Sequence, residues 1–381
     1  MNFTHRHFNV RLHLILAASA GAVLLGLPLL VGGIPSAAAS SGPEAAASLT
    51  TEVKGHLEQA QKYLDQVTGI TGEHTVENTL GVLNQLSIEI DAAASKAGLL
   101  ENVHPDKGVR EAAEKASQEV QAFTTALSLN RDVYDAVLAV NVDDADADTQ
   151  RLKEETLRSY RRSGVDKDEA TRARITELQE EILLIGQEFQ RNIREDNRFV
   201  LFDSVEDLAG LPQDYIDAHA PDENGKIKVT TAYPDYLPFI KYAKNTAARQ
   251  RLYMEFNNRG YPKNTETFGK LLAARYELAR LLGFDNWAEY ITDDKMVGSA
   301  KNAADFVTKL DEACKDRAAR DMAALLKRKQ KDDPSATVVQ DYEKSFYQEL
   351  VKAEQFDFDS QELRNYFPYE QVKQGSFDLT S

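Results

Sequence analysis

Histidine and carboxylate side chains are the groups in this sequence that could bind a metal ion or transfer protons. The seven histidines include no pair four positions apart on a helix, and the zinc motif HExxH does not occur in the 381 residues. Nor does the sequence contain a P-loop, a dinucleotide-binding glycine motif or a GxSxG motif. We therefore predict no catalytic residue and no metal ligand in this chain, and the residues that contact a substrate stay unknown.

An acidic segment spans residues 141–150. Asp144, Asp146, Asp148 and Glu155 stand at positions 1, 3, 5 and 12 of a calcium-loop pattern, which raises a calcium-binding module as one alternative. Position 6 of that loop needs glycine, and here it is Thr149. The flanking residues are typical of helix ends. We therefore favour a solvated acidic linker.

The single cysteine, Cys314, excludes an internal disulfide and a cysteine-based zinc site. It continues a stripe of small and apolar residues with Phe306, Leu310 and Ala318, which predicts a core position for it rather than a reactive thiol. The formal net charge of −16 disfavours nucleic acid and anionic membranes as partners, because a surface that binds phosphate groups needs clustered Lys and Arg.

The N-terminal residues resemble an export signal. Arg6 and Arg11 precede an uncharged apolar run from Leu14 to Ile34, and the alanines at positions 37–39 offer a cleavage site before Ser40. We expect residues 1–39 to be a signal peptide and the protein to be exported, periplasmic or extracellular. The alternative is an uncleaved membrane anchor, because the apolar run is nearly long enough to span a bilayer.

Helical periodicity dominates the rest of the sequence and predicts a mostly α fold of long packed helices. The most regular stripe must pack along another long helix, and it consists of Ile175, Leu178, Ile182, Ile185, Phe189 and Ile193. The runs RFVLFD and KIKVTT predict a small β insertion near residues 198–231. An earlier helix is expected to end before Gly98, and a later one to run unbroken from Leu237 to Asn258.

Several phrases of the sequence resemble the thimet oligopeptidase, neurolysin and oligopeptidase A family of zinc peptidases. Two of them are YPDYLPFIKYAKNTAARQRLYMEFNNRGYPKN and LLAARYELARLLGFDNWAEYITDDKMVGSAKNAADFVTKL. A third, DYEKSFYQELVKAEQFDFDSQELRNYFPYEQVKQG, is similar to the segment that precedes the catalytic helix of that family. Two upstream phrases, VHPDKGVREAAEKASQEVQAF and RSGVDKDEATRARITELQEEILLIGQEFQRNI, are similar to its N-terminal helical half.

The resemblance implies a helical body with a deep channel, a zinc ion that activates water, and short peptides as substrates. Together with the sequence patterns above, it predicts four parts of the chain: signal peptide 1–39, linker 40–48, N-terminal helical domain 49–197, and a final part 198–381. That final part contains the β insertion and the start of the catalytic domain. We expect a monomer that forms the N-terminal portion of an exported oligopeptidase, with zinc as the cofactor of the full-length family.

None of the family's zinc ligands or its general base has a counterpart here, so we expect this chain alone to be inactive. We also expect a chain cut in mid-domain to leave apolar side chains without partners, such as Tyr342, Phe346, Tyr347 and Leu350. The alternative function is a non-enzymatic, exported helical protein that binds peptides or acts as a scaffold.

Overall fold

The computed structural model describes residues 42–357 and 361–380. These residues form two compact units. The first unit contains residues 42–190 and Thr265–Ala300, and the second contains Arg191–Asn264 together with the described residues after Ala300. The predicted signal peptide, residues 1–39, lies outside the described residues. No helix in residues 42–357 or 361–380 has both the length and the apolar character needed to cross a membrane.

The described part of the chain is mostly helical with one small sheet, which confirms the predicted fold class. Its helices are α1 Gly42–Thr68, α2 Gly81–Val103, α3 Lys107–Ser128, α4 Arg131–Ala139, α5 Ala147–Ser163, α6 Glu169–Glu195, α7 Gln213–Ala218, α8 Tyr233–Tyr242, α9 Thr246–Asn257, α10 Lys263–Leu281, α11 Trp287–Thr292, α12 Ala300–Asp332, α13 Asp341–Phe356 and α14 Tyr369–Thr380. The strands are β1 Phe199–Phe202 and β2 Ile227–Thr230. Short 3₁₀ turns cover Val205–Leu208 and Glu362–Asn365, and a π-helical turn covers Val76–Leu80.

In the first unit, α1, α2 and α3 pack around one apolar core. Two predicted boundaries are wrong. Helix α1 begins at Gly42, inside the expected linker 40–48, because Pro43 is tolerated in a first turn and the alanines after it favour helix. Helix α2 continues through Gly98 to Val103, since burial of the adjacent Ala97 offsets the cost of a glycine in the helix, about 1 kcal/mol.

The regular stripe of α6 packs against α10 and α11 in the first unit. Ile175, Leu178 and Ile182 are almost fully buried, and they share a core with Leu271 and Leu278 of α10. The expectation that this stripe packs along another long helix is thereby confirmed. The helix α10 ends before Gly283, which has a φ of +94°, a left-handed conformation in which glycine commonly ends a helix.

The second unit is built on the hairpin of β1 and β2, which pair antiparallel with Phe199 opposite Thr230 and Phe202 opposite Ile227. The predicted β insertion is confirmed. One face of the hairpin packs on α8 and α9, and the ring of Phe202 stacks on that of Phe239 at 5.2 Å between centroids. The predicted helix from Leu237 to Asn258 is in fact two helices, because the side chain of Asn245 caps a new one by accepting hydrogen bonds from the backbone of α9.

Helices α12 and α13 pack through the C-terminal half of α12, where Leu325 and Tyr347 lie in a small apolar cluster. The predicted lack of partners for Tyr342, Phe346, Tyr347 and Leu350 is wrong: Tyr347 is buried, Phe346 and Leu350 pack against the same cluster, and Tyr342 packs on the hairpin core.

The predicted core position of Cys314 is also wrong, because this residue is exposed. Phe306 and Leu310, two turns and one turn before it respectively, are 61% and 48% exposed. The helical period identifies residues that share a face of a helix, but it does not show whether another element packs on that face.

Candidate functional site

The residues of the calcium-loop pattern do not form a metal site in the structure. Asp146 is the N-cap of α5, and its carboxylate accepts a hydrogen bond from the backbone N–H of Thr149 at 2.8 Å. The hydrogen bonds from Thr149 lower the pKa of this exposed carboxyl group. Across the residues that the structure describes, no group of three or more His, Cys, Asp or Glu side chains could hold a metal ion.

The described histidines have structural partners. His56 lies 2.6 Å from a carboxylate oxygen of Glu89, and the ring of His104 accepts a hydrogen bond from a nearby backbone N–H. His219 stacks on the ring of Tyr215 and lies 3.4 Å from an Asp235 carboxylate oxygen. The carboxylate contacts of His56 and His219 join neighbouring elements, whereas the contact of His104 is local, and none of them gathers ligands around a common centre.

A shallow groove lies between β1 and α9 in the second unit. Its volume is about 510 Å³, and it is lined by Phe199, Val200, Leu201, Gln250, Arg251, Met254 and Glu255. That volume lies in the range of small-ligand sites, roughly 300–1,000 Å³. Phe199, Leu201 and Met254 are 45%, 42% and 50% exposed, so the groove presents apolar side chains to solvent.

The position of α9 follows from the way this helix is anchored. Leu252 is fully buried in the hairpin core, and the buried Arg249 donates hydrogen bonds to the carbonyl oxygens of Ala243 and Lys244 just before the helix. With Arg249 and Leu252 facing inward, Arg251 and Met254 are left on an exposed face. That face forms one wall of the groove.

The other wall is the free edge of β1. Thr231 donates a backbone hydrogen bond to the carbonyl oxygen of Arg198 at 2.9 Å, so the bonded cross-strand pairs continue at Val200 and Phe202. The backbone groups of Phe199 and Leu201 therefore face away from β2. One of them is satisfied by a side chain, because Arg251 donates a hydrogen bond to the carbonyl oxygen of Leu201 at 2.8 Å.

The sheet's opposite edge is protected in a different way. The outward N–H of Thr230 donates to the carboxylate of Asp235 at 3.1 Å, and the hydroxyl of Thr230 also donates to that carboxylate. Burial opposes ionisation of Asp235, but hydrogen bonds from His219 and Thr230 outweigh it and lower the pKa of this carboxyl group. The edge of β1 is thus the side of the hairpin at which a further strand could be added.

Two groove residues carry opposite charges. Arg251 lies beside Leu201, whereas Glu255 lies one helical turn further along α9, beside Arg198 at 3.4 Å. Helix α9 therefore runs antiparallel to β1, and it presents Arg251 at the Leu201 end of the groove and Glu255, which is paired with Arg198, near the Phe199 end.

Sequence reasoning did not predict this groove. The signal available in the sequence was the run of four apolar residues in β1, Phe199 to Phe202, in a hairpin with only one buried face. A strand with one buried face ordinarily alternates apolar and polar residues, so apolar residues on both faces indicate an exposed apolar surface.

Comparison with known proteins identifies the relatives of this chain. Residues 239–381 match the family model described as Peptidase family M3. The chain is similar to the M3 oligopeptidases. This match, together with the similarities below, confirms the resemblance predicted from the sequence phrases, and 143 of the 381 residues lie within the matched segment.

Three curated relatives show the extent of the similarity, each at 26% identity. They are a thimet-like oligopeptidase of Dictyostelium discoideum, matched over 84% of this chain and 50% of its own length, saccharolysin of Saccharomyces cerevisiae (80% and 43%), and oligopeptidase A of Haemophilus influenzae (80% and 47%). The chain thus spans about half the length of the curated relatives it matches.

Zinc, which the family resemblance implies, does not fit the donor groups of the described residues. The described residues contain no cluster of His, Cys, Asp or Glu side chains suited to a metal ion. The single cysteine is exposed, and His56 and His219 are each engaged by one carboxylate. We therefore assign no zinc ligand to any described residue and derive no metal-dependent step from them.

Proposed function

We propose that this chain is the N-terminal portion of a zinc-dependent oligopeptidase that hydrolyses short peptides by means of a metal-activated water. The observation that carries the proposal is the match of residues 239–381 to Peptidase family M3. The similarity of the preceding residues to named oligopeptidases supports it. Because the sequence contains no HExxH motif, we expect the 381-residue chain to hydrolyse no peptide by itself.

A peptidase assay tests both parts of the proposal. The purified 381-residue chain is incubated with an internally quenched short peptide, with and without added zinc and a chelator, and its metal content is measured. We expect neither hydrolysis nor stoichiometric zinc. Chelator-sensitive cleavage by this chain would contradict the predicted inactivity.

The genomic context tests the remaining part. We expect the nucleotide sequence downstream of codon 381 to encode an HExxH motif, and the protein that contains both segments to cleave the same peptide in a zinc-dependent way. If that longer protein left the peptide intact, or if no reading frame encoded the motif, the oligopeptidase proposal would be wrong.

The second candidate is an exported protein that binds peptides without cleaving them, and the groove beside β1 is the observation that favours it. The two candidates differ in one result. A binding protein retains a peptide intact, whether or not zinc and a downstream segment are supplied, whereas the oligopeptidase converts it to fragments.

We further propose that residues 1–39 are removed on export and that the mature protein is a monomer. The support for removal is the charged start, the apolar run and the alanines before Ser40, and the monomer is proposed from the family resemblance alone. Mass spectrometry of the protein recovered from an exporting host is expected to give an N-terminus at Ser40. An N-terminus at Met1 in the membrane fraction would instead identify an uncleaved anchor.

A further inference from the structure

We propose that the groove between β1 and α9 binds a short peptide with free termini as an added strand, parallel to β1. The inference rests on the proposed peptide-handling function for its substrate class, and it adds the location, the direction and the contacts of the bound peptide. The residues that carry it are Phe199, Leu201, Arg251 and Glu255.

The backbone at the edge of β1 defines what can bind. Three outward groups lie on the groove side: the N–H and C=O of Phe199 and the N–H of Leu201. Only an extended backbone supplies a carbonyl oxygen, an N–H group and a second carbonyl oxygen at the same spacing. The fourth outward group, the C=O of Leu201, is bonded to Arg251, so the added strand stops there.

The length of the site follows from this pattern. In a parallel arrangement, the first peptide residue accepts from Phe199 N–H, and the third residue donates to Phe199 C=O and accepts from Leu201 N–H. A fourth residue then reaches Arg251. Four extended residues span about 10 Å between their first and last Cα atoms, which suits a four-residue strand and not a long polypeptide.

The charges on α9 select the direction. A free peptide carries an ammonium group at its start and a carboxylate at its end. Parallel binding places the ammonium near Glu255 and the carboxylate near Arg251, which are one turn or about 6 Å apart along the helix axis. Antiparallel binding would place each terminus near a side chain of like charge.

The side chains of the groove set a preference for apolar residues. Phe199 and Leu201 lie on the outer face of the hairpin, and Met254 lies on the facing wall. Since strand side chains alternate between two faces, alternate residues of the peptide contact these apolar groups. Methionine adapts to differently shaped partners, so we expect the groove to accept several apolar residue types.

The test uses the full 381-residue chain and the tetrapeptide Thr-Val-Thr-Val with free termini. Binding is measured by calorimetry, and hydrogen exchange of the segment 198–203 is followed by mass spectrometry. We expect a Kd near or below about 1 mM and slower exchange of the Phe199 and Leu201 amides in the presence of peptide.

A peptide N-methylated at its third residue cannot donate to Phe199 C=O, and we expect it to bind about tenfold more weakly. Equal binding of the two peptides, unchanged exchange in 198–203, or no binding at several times that concentration would overturn the proposal.

Two variants test the direction of the peptide. Arg251→Gln is expected to weaken binding of the free-acid peptide by about threefold or more and to leave binding of the C-amidated peptide unaffected. Glu255→Gln is expected to weaken binding of the peptide with a free N-terminal amine by a similar factor and to leave binding of the N-acetylated peptide unaffected. Arg280→Gln removes the same charge as Arg251→Gln, at an exposed pair with Asp285, and is the matched control for it. This variant should change the affinity for neither the free-acid nor the C-amidated peptide. A reversed pattern of dependence would show antiparallel binding and would overturn the assignment.

The outcomes also separate this inference from the proposed function. If the tetrapeptide fails to bind while the longer protein hydrolyses peptides, only the groove assignment is wrong. If the tetrapeptide binds as expected and the longer protein hydrolyses nothing, the oligopeptidase proposal fails and the non-enzymatic candidate remains with its site.

Discussion

The ion pair between Lys329 of α12 and Glu343 of α13 gives a sharp test of how the second unit is held together. Their charged atoms are 2.6 Å apart, and their side chains are only 13% and 3% exposed. The Glu343 carboxylate also accepts a hydrogen bond from the backbone N–H of Gln340 at 2.8 Å, which caps α13. The Lys329 ammonium donates to the carbonyl oxygen of Val338 at 3.0 Å.

The expected cost of Glu343→Gln can be worked from these contacts. Removing one partner of a buried ion pair destabilises proteins by about 3–5 kcal/mol, mainly because the other charge stays buried without compensation. Glutamine keeps an oxygen for the N–H of Gln340, and Lys329 keeps the carbonyl oxygen of Val338. We therefore expect the free energy of unfolding to fall by about 3 kcal/mol, at the lower end of that range.

Urea denaturation of four proteins checks this value: the parent, Glu343→Gln, Lys329→Met and the double variant. Because the double variant leaves no buried unpaired charge, we expect its loss to be smaller than the sum of the single losses by at least about 2 kcal/mol. The exposed pair of Arg317 and Asp321 on the same α12 is the control, and Asp321→Asn should cost less than about 0.5 kcal/mol. A loss for Glu343→Gln no larger than that of the control would refute the reasoning.

Three further predictions concern pH, backbone geometry and capping. Hydrogen bonding to Asp235 raises the pKa of His219 above its ordinary 6.5. The stabilisation that His219 contributes is therefore complete below pH 6.5 and is lost as the pH rises through the raised pKa. Unfolding measured as a function of pH should show this loss of stability for the parent and not for His219→Gln. Gly210 has a φ of +98°, and a Cβ at this position would meet the backbone oxygen of Tyr242, so Gly210→Ala should lower the free energy of unfolding by about 2–3 kcal/mol. Gly225 has open space around it, so Gly225→Ala should cost about 1 kcal/mol in the same urea assay. Asp146→Ala should lower the midpoint of thermal unfolding, because α5 loses its N-cap, and Asp146→Asn should lower it less. We expect no calcium heat for the parent in calorimetry.

The pH effect has a geometric origin in the surroundings of His219. Its Nδ1 lies 2.8 Å from the carbonyl oxygen of Tyr215, and its Nε2 lies 3.4 Å from a carboxylate oxygen of Asp235. Both neighbours can only accept, so both ring nitrogens must donate and the ring is cationic when the two contacts are complete. A stability profile that stayed flat between pH 6 and pH 8 would contradict this protonation state.

Helical periodicity predicted most of the fold because it records which residues face a core. The stripe that includes Ile175 and Ile185 needed only one neighbouring helix to be buried, and α10 supplies it. The boundaries failed where a local effect outweighs the pattern. The cap at Asn245 divides one predicted helix into two, and the alanines after Pro43 extend another towards the N-terminus.

The apolar run of β1 indicates an exposed apolar surface, but the sequence does not identify the groove itself, because no single residue in it has distinctive chemistry. Arg251, Met254 and Glu255 are ordinary residues on the exposed face of a helix. Their importance comes from the free edge of β1 beside them, and that edge depends on which backbone groups of Phe199 and Leu201 point away from β2. The register of the hairpin decides this, and the sequence of β1 alone does not specify the register.

The groove is built partly from residues that precede the segment matched by the family model. The match covers residues 239–381 and includes α9 but not β1. In the core below the groove, Phe202 of the hairpin stacks on Phe239, and Leu252 of α9 lies in the same apolar cluster. A chain that began at residue 239 would expose that cluster and lose one wall of the groove. The hairpin is therefore part of the structure that presents α9, and any peptide contact made by α9 depends on residues that precede the matched segment.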